Sequence, residues 1–310
     1  MRNTFIKTLT ELAEHNPSIF VLTADLGWGV FETFEAKFPD RYINVGVAEQ
    51  NMMGLATGLA LEGYHVFTYS IGNFPTFRPL EQIRNDICYH NAKVTIVSVG
   101  GGFTYGGLGF SHHCTEDIAI MSALPNMTVL VPGDQFEVVE VTKIAAQKSS
   151  GPCYLRLDKA FAETKEYLSP AFTLGKARVL REGKAFTIMA CGGIMQHALD
   201  AAKILAGEGI EVRVLSVPTV KPLDVDAVLS AANDTGGIIT IEEHSIHGGL
   251  AAAVSQVCMD HAQMPKAFHA IALRQGFTTV VGSQEYLREH YGIHKNVIVK
   301  KVKALLGRAS

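Results

Sequence analysis

Residues 45–61, VGVAEQNMMGLATGLAL, carry one ionisable side chain, Glu49, among apolar and small neighbours. A helix that is apolar all round is a buried helix, so this carboxyl group needs a reason to be there. In one reading Glu49 sits in the first turn and is stabilised by the positive end of the helix dipole. In the other it shares a proton with a ligand nitrogen, because desolvation favours the neutral form of a buried carboxyl group and brings its proton exchange towards neutral pH. The sequence supports both.

A second group of residues lies at 100–113, GGGFTYGGLGFSHH, where six glycines fall in the twelve residues from Gly100 to Ser111 and His112 and His113 follow. So permissive a backbone directly after a strand suits a ligand loop at the carboxyl edge of an open α/β sheet, although a plain surface loop has the same composition. It matches neither GxGxxG with a following acid nor GxxxxGK[ST], so the common nucleotide cradles do not apply. An imidazole on such a loop can donate or accept a proton near neutral pH. The two histidines alone make a poor metal site, since no third ligand lies at a useful spacing. Phe74 and Phe77, in FPTFR, either pack the core or offer a flat face to a heteroaromatic ring. Arg156, in YLRLD, either pairs with Asp158 or projects towards a phosphate.

These groups need a scaffold, and strand-like runs alternate with helical stretches throughout, the pattern of parallel α/β sheets. The first unit carries strands near 19–22, 42–45, 65–69, 94–99, 128–131 and 153–156, with helices at 3–14, 48–61, 79–89, 116–124 and 135–148 between them. Each helix is long enough for a crossover. Residues 160–175 lose the pattern and read as a connection. A smaller α/β unit follows, with strands near 185–190, 211–217, 237–241 and 267–273 and helices at 195–206, 223–232 and 250–261. The expected architecture is α/β in two doubly wound domains, 1–165 and 176–310.

Composition agrees. The 310 residues are 47% hydrophobic and 18% charged, enough for packed cores, and 27 basic against 30 acidic residues give a net charge of -3, too weak a field to suggest nucleic acid. No apolar run reaches the length of a membrane span and the first residues form no signal-peptide core, so a soluble cytoplasmic protein is expected. Five scattered cysteines without a CxxC pair read as reduced thiols.

Taken together these segments resemble the second half of the transketolase family of thiamine-diphosphate enzymes, which includes the deoxyxylulose-phosphate synthases. RYINVGVAEQNMMGLATGLAL is similar to the helix that bears the family's cofactor-activating glutamate, which falls on Glu49. SIGNFPTF resembles the segment whose phenylalanines stack on the aminopyrimidine ring, giving Phe74 and Phe77. GFSHHCTEDIAIMSALPNMTVLVPGD resembles the stretch with a substrate-facing histidine, giving His112 with His113 beside it. ADL resembles a segment lining the thiazolium pocket, giving Asp25 and Leu26. Arg156, and Arg2 at the terminus, match arginines that grip a sugar phosphate. ITIEEHSIHGGLAAAV resembles the family's carboxyl-terminal domain.

The resemblance implies that Glu49 hydrogen-bonds the pyrimidine N1′ and favours the tautomer whose exocyclic nitrogen takes the thiazolium C2 proton, and that His112 steadies substrate oxygens. The family binds Mg²⁺ and the diphosphate through an amino-terminal domain with a GDG motif and a downstream asparagine, and no GDG occurs here. The chain therefore resembles the second subunit of a split transketolase. Implied are a GDG-bearing partner in an α2β2 heterotetramer, ketol transfer between sugars or sugar phosphates, and no metal ligands on this chain. Two positions depart from the pattern: Leu108 stands where the family has an acid and Gly100 where it has a histidine, which points to an altered substrate. A decarboxylating synthase, a 2-oxo acid dehydrogenase β subunit and a non-catalytic scaffold are the alternatives.

Overall fold

The computed structural model describes residues 1–147, 150–164, 172–274 and 276–307. Among these residues two sheets form. The strands are β1 (Ile19–Thr23), β2 (Tyr42–Asn44), β3 (His65–Ile71), β4 (Val94–Val99), β5 (Thr128–Leu130), β6 (Cys153–Leu157), β7 (Arg178–Arg181), β8 (Thr187–Ala190), β9 (Arg213–Ser216), β10 (Thr219–Lys221), β11 (Ile238–Ser245) and β12 (Phe268–Leu273). The first sheet runs β10-β5-β6-β4-β3-β1-β2 and the second β12-β11-β8-β9-β7. The α/β class and the parallel pairing are as expected. Runs such as VTIVSV in β4 are buried at every position because helices cover both faces of the sheet. Part of the expected connection, residues 165–171, lies outside the described residues, as do Lys148 and residues 308–310.

The two halves are less separate than the sequence suggests. Strand β10 comes from the second half yet pairs antiparallel with β5 of the first sheet, Thr219 opposite Leu130. Strand β7 likewise closes the second sheet antiparallel to β9. Short helices at Glu32–Lys37 and Phe74–Phe77, and two longer ones at Gln284–His290 and Lys295–Leu305, go beyond the sequence reading. The helix expected over 79–89 is instead a single turn, Leu80–Gln82, that widens into a π-helix at Ile83–Cys88, where the Tyr89 amide reaches back to the Arg84 carbonyl. All five cysteines are buried, and none forms a disulfide among the described residues.

In the first sheet the chain lays β2 outside β1, then crosses β1 to build β3 and β4 on its other side. Reversal of winding direction opens a crevice at the carboxyl ends of the strands, where open α/β sheets bind ligands. Asp25, Glu49, Phe74 and the glycine-rich loop all follow the carboxyl ends of these strands.

His65 begins β3 at 5% exposure, its Nε2 3.0 Å from Thr95 Oγ1 and its ring stacked on Phe67 with centroids 4.8 Å apart. Burial lowers its pKa to about 4. As pH falls below about 6.5 the unfolded chain takes up a proton at this residue, and native His65 does so only near 4, so folding stability falls through that window and the loss is complete below it. The linked loss is about 3 kcal/mol for such a difference. Thermal melts between pH 7 and 4 should therefore fall more steeply for the parent chain than for His65→Gln, and parallel curves would refute the assignment.

Candidate active site

The helix Glu49–Leu61 begins on Glu49 itself, and its amino-terminal neighbour Ala48 offers no side-chain cap. The carboxylate thus lies in the first turn beside the free backbone amides, at 5% exposure. It also has a cationic partner that the sequence reading did not supply. Arg78 Nη1 donates to Glu49 Oε1 at 2.7 Å. The same guanidinium lies over the ring of Phe74, 4.1 Å from its centroid. Phe74 and Arg78 stand four residues apart on one short helical turn, the spacing that puts side chains on the same face.

Next to this pair is a cavity of about 320 Å³ walled by Asn73, Phe74, Phe77, Arg78, Phe110 and Phe277, among others. Glu49 is not part of its lining and reaches it through the guanidinium. Asn73 ties the strand β3 end to the glycine-rich loop by donating from Nδ2 to the carbonyls of Ser111 and His113 at 3.1 and 2.9 Å. Its Oδ1 is buried with no hydrogen-bond partner, an acceptor left over in the cavity wall.

The two histidines, adjacent in sequence, meet different ends. The 3₁₀ turn Phe110–His112 leaves His112 partly exposed, its ring edge-on to Phe74 with centroids 5.2 Å apart and its Nδ1 3.0 Å from Ser111 Oγ. Burial first, then His113 and Arg78, hold its imidazole below the ordinary histidine value, so it is neutral at neutral pH. His113 turns inward to 2% exposure. Its Nε2 donates to the Gly106 carbonyl at 3.2 Å, which leaves Nδ1 to accept from the Thr278 hydroxyl. Both ring nitrogens thus have partners within the chain, while His113 also lines the cavity beside Phe74.

Arg156 is buried as well. At 1% exposure its Nε lies 3.1 Å from Asp117 Oδ2 and its Nη2 donates to the carbonyls of Cys114 and Glu243 at 3.0 Å each. Tyr154 Oη donates to the same Asp117 oxygen at 2.6 Å. The guanidinium lies under the glycine-rich loop, against Gly101. A Cβ at Gly101 would stand 2.1 Å from Asp158 Oδ1 and 2.4 Å from Arg156 Nε, which explains the glycine. Gly102, at φ +57°, is crowded by Glu243 in the same way.

Glu243 belongs to β11 and is a second residue the sequence did not mark. It accepts the Phe103 amide, Gln284 Nε2 at 3.0 Å and Arg288 Nε at 2.6 Å. The second half of the chain thus pins the loop that carries His112, and Thr278 and Phe277 reach the cavity from the same side. Asp25 and Leu26 lie at the end of β1, where the Asp25 amide donates to Asn44 Oδ1 at 2.9 Å, and they stay outside the aromatic cavity. Arg2 is exposed near the phenols of Tyr69 and Tyr105. No cluster of His, Cys, Asp or Glu among the described residues could hold a metal ion.

Two family models cover most of the chain: the transketolase pyrimidine binding domain matches residues 1–163 and the transketolase C-terminal domain residues 175–298. The chain is 35% identical over 301 residues to an apulose-4-phosphate transketolase subunit of Phocaeicola vulgatus, covering 96% of this chain and 95% of that protein. It is 37% identical over 302 residues to a 6-deoxy-6-sulfo-D-fructose transketolase subunit of a Clostridium species, covering 97% and 92%. A solved structure described as a split gene transketolase in an inactive β4 tetramer superposes with a TM-score of 0.87 at 37% identity, covering 99% of this chain and 97% of that one.

Proposed function

The chain belongs to the transketolase family, and from that premise we propose that it is the C-terminal subunit of a split thiamine-diphosphate enzyme that moves a two-carbon ketol unit from a ketose to an aldehyde. The family's pyrimidine-binding domain implies thiamine diphosphate as cofactor. An N-terminal subunit with the GDG motif supplies Mg²⁺ and the diphosphate site, and the working assembly is an α2β2 heterotetramer. Domains of 1–165 and 176–310 and a cytoplasmic location complete the reading. No helix among the described residues is long and apolar enough to cross a membrane.

The observation that carries the proposal is Glu49, a carboxylate at 5% exposure in the first turn of its helix, joined to the Phe74 ring through Arg78. The residues present fit an aminopyrimidine: one carboxylate for a ring nitrogen, the unpartnered Asn73 Oδ1 for a donor, and the faces of Phe74 and Phe77 for stacking. Bound thiamine diphosphate supplies the electron sink that carries the two-carbon unit between sugars. Glu49 Oε1 holds the proton at the ring nitrogen. Phe74 and Phe77 would stack on the ring, with Phe110 and Phe277 at the rim of the cavity. Neutral His112 would donate to or accept from oxygens of the sugar, and Asp25 and Leu26 would border the thiazolium side.

Relatives named for apulose 4-phosphate and for 6-deoxy-6-sulfo-D-fructose support a ketose with an anionic end, and Leu108 and Gly100 in the loop favour one other than an ordinary pentose phosphate. Alone, the chain is expected to transfer nothing. Mixed with its N-terminal subunit, Mg²⁺ and thiamine diphosphate, it should convert a ketose donor and an aldehyde acceptor into new sugars that mass spectrometry resolves. Release of CO₂ from pyruvate without sugar exchange would replace ketol transfer by the decarboxylating alternative.

A further inference from the structure

Arg78 makes, on Glu49 and Phe74 together, the two contacts that the proposed function assigns to the aminopyrimidine. Its planar cation stacks on the Phe74 ring at 4.1 Å and its Nη1 hydrogen-bonds Glu49 Oε1 at 2.7 Å. A guanidinium resembles an aminopyrimidine in being flat, weakly hydrated on its faces and able to donate in plane to a carboxylate. Its side chain is 47% exposed while Glu49 is 5% exposed, so the cation can leave by swinging outward and the carboxylate cannot follow. The cavity that would receive a ring is lined by Arg78 and not by Glu49. Leaving Glu49 without any partner would carry the cost of a buried unpaired carboxylate.

Resting on that function, the geometry points to Arg78 as a stand-in for the coenzyme's aminopyrimidine, holding Glu49 and the face of Phe74 until the ring displaces it. Coenzyme binding is then an exchange of one flat donor for another at the same two partners. The cation keeps the glutamate satisfied in the empty subunit and weakens the affinity of the full coenzyme.

The test uses the complex of this chain with its N-terminal subunit and measures, by calorimetry with Mg²⁺, the affinity of thiamine diphosphate and of its thiazole diphosphate fragment, which lacks the aminopyrimidine. Arg78→Ala should bind the full coenzyme about fivefold more tightly, the size expected for losing a half-exposed ion pair with its ring contact, and should bind the fragment as the parent does. Arg78→Lys, which keeps charge without a flat face, should fall between. In a Glu49→Gln background the Arg78→Ala effect should shrink, because the charge that holds the pair is already gone and only a neutral hydrogen bond is left to break. Unchanged or weaker binding of the full coenzyme by Arg78→Ala, or equal changes for coenzyme and fragment, overturns the stand-in. The proposed function itself fails by a different result: Glu49→Gln and Phe74→Ala leaving both coenzyme affinity and turnover untouched.

Discussion

Glu49→Gln is expected to lower the turnover of the reconstituted enzyme by about a thousandfold, the scale on which a positioned proton-transfer group acts, while the protein melts within a few degrees of its parent. The two halves of that expectation have different origins. Turnover depends on a carboxyl oxygen that can hold or release a proton, and the amide of glutamine does neither at neutral pH. Stability depends on packing and on the ion pair. The packing survives because the two side chains have nearly the same shape, and the pair survives in weakened form because the amide oxygen still accepts from Arg78. An ion pair with one partner half exposed contributes about 1 kcal/mol or less. Steady-state kinetics with saturating thiamine diphosphate, set beside a melt, separate the two. Activity within about threefold of the parent would remove Glu49 from the mechanism and would favour the scaffold alternative.

Legibility in the sequence followed the range of the forces involved. Strands β3, β4 and β6 were readable because burial on both faces forces unbroken apolar runs. The helix Glu49–Leu61 was readable because one acid stands out against small and apolar neighbours. Strand β10 was not, since three residues carry no period and their place is set by pairing with β5 across the domain boundary. The helix Gln284–His290 has a local signal in its cap, where Ser283 Oγ accepts the Tyr286 amide, but its charged sequence obscures the apolar face. The site divides along the same line. Glu49, Phe74 and Phe77 sit in distinctive local sequence, whereas the pairing of Arg78 with Glu49 joins residues 29 apart. Its one local hint was the spacing of four from Phe74. The different fates of His112 and His113 follow from a single turn ending between them, as His113 leaves the 3₁₀ geometry at φ -76°, ψ 119° and points inward.

For Arg156, the role that the family resemblance implies and the surroundings that burial gives it lead to different expectations. A surface arginine that grips a sugar phosphate can be replaced with a rise in KM and little change in melting. Arg156, at 1% exposure, is surrounded by Asp117 at 0%, Asp158 at 4% and the carbonyls of Cys114 and Glu243. Replacing it with methionine, of similar length, removes the charge and leaves Asp117 buried with only the Tyr154 hydroxyl on its Oδ2. Breaking one side of a buried pair costs about 3 to 5 kcal/mol, which for a chain of this size lowers the melting temperature by about 10 °C. The loss should be partly recovered in Arg156→Met/Asp117→Asn, where no unpaired charge is left at that position. Because Arg156 also braces the glycine-rich loop from below, turnover should fall with the loosening of His112, and KM for the sugar should change less than kcat. A Tm unchanged by Arg156→Met together with a tenfold rise in KM would show the guanidinium to be reaching the substrate after all, and would require the loop above it to open in the working enzyme.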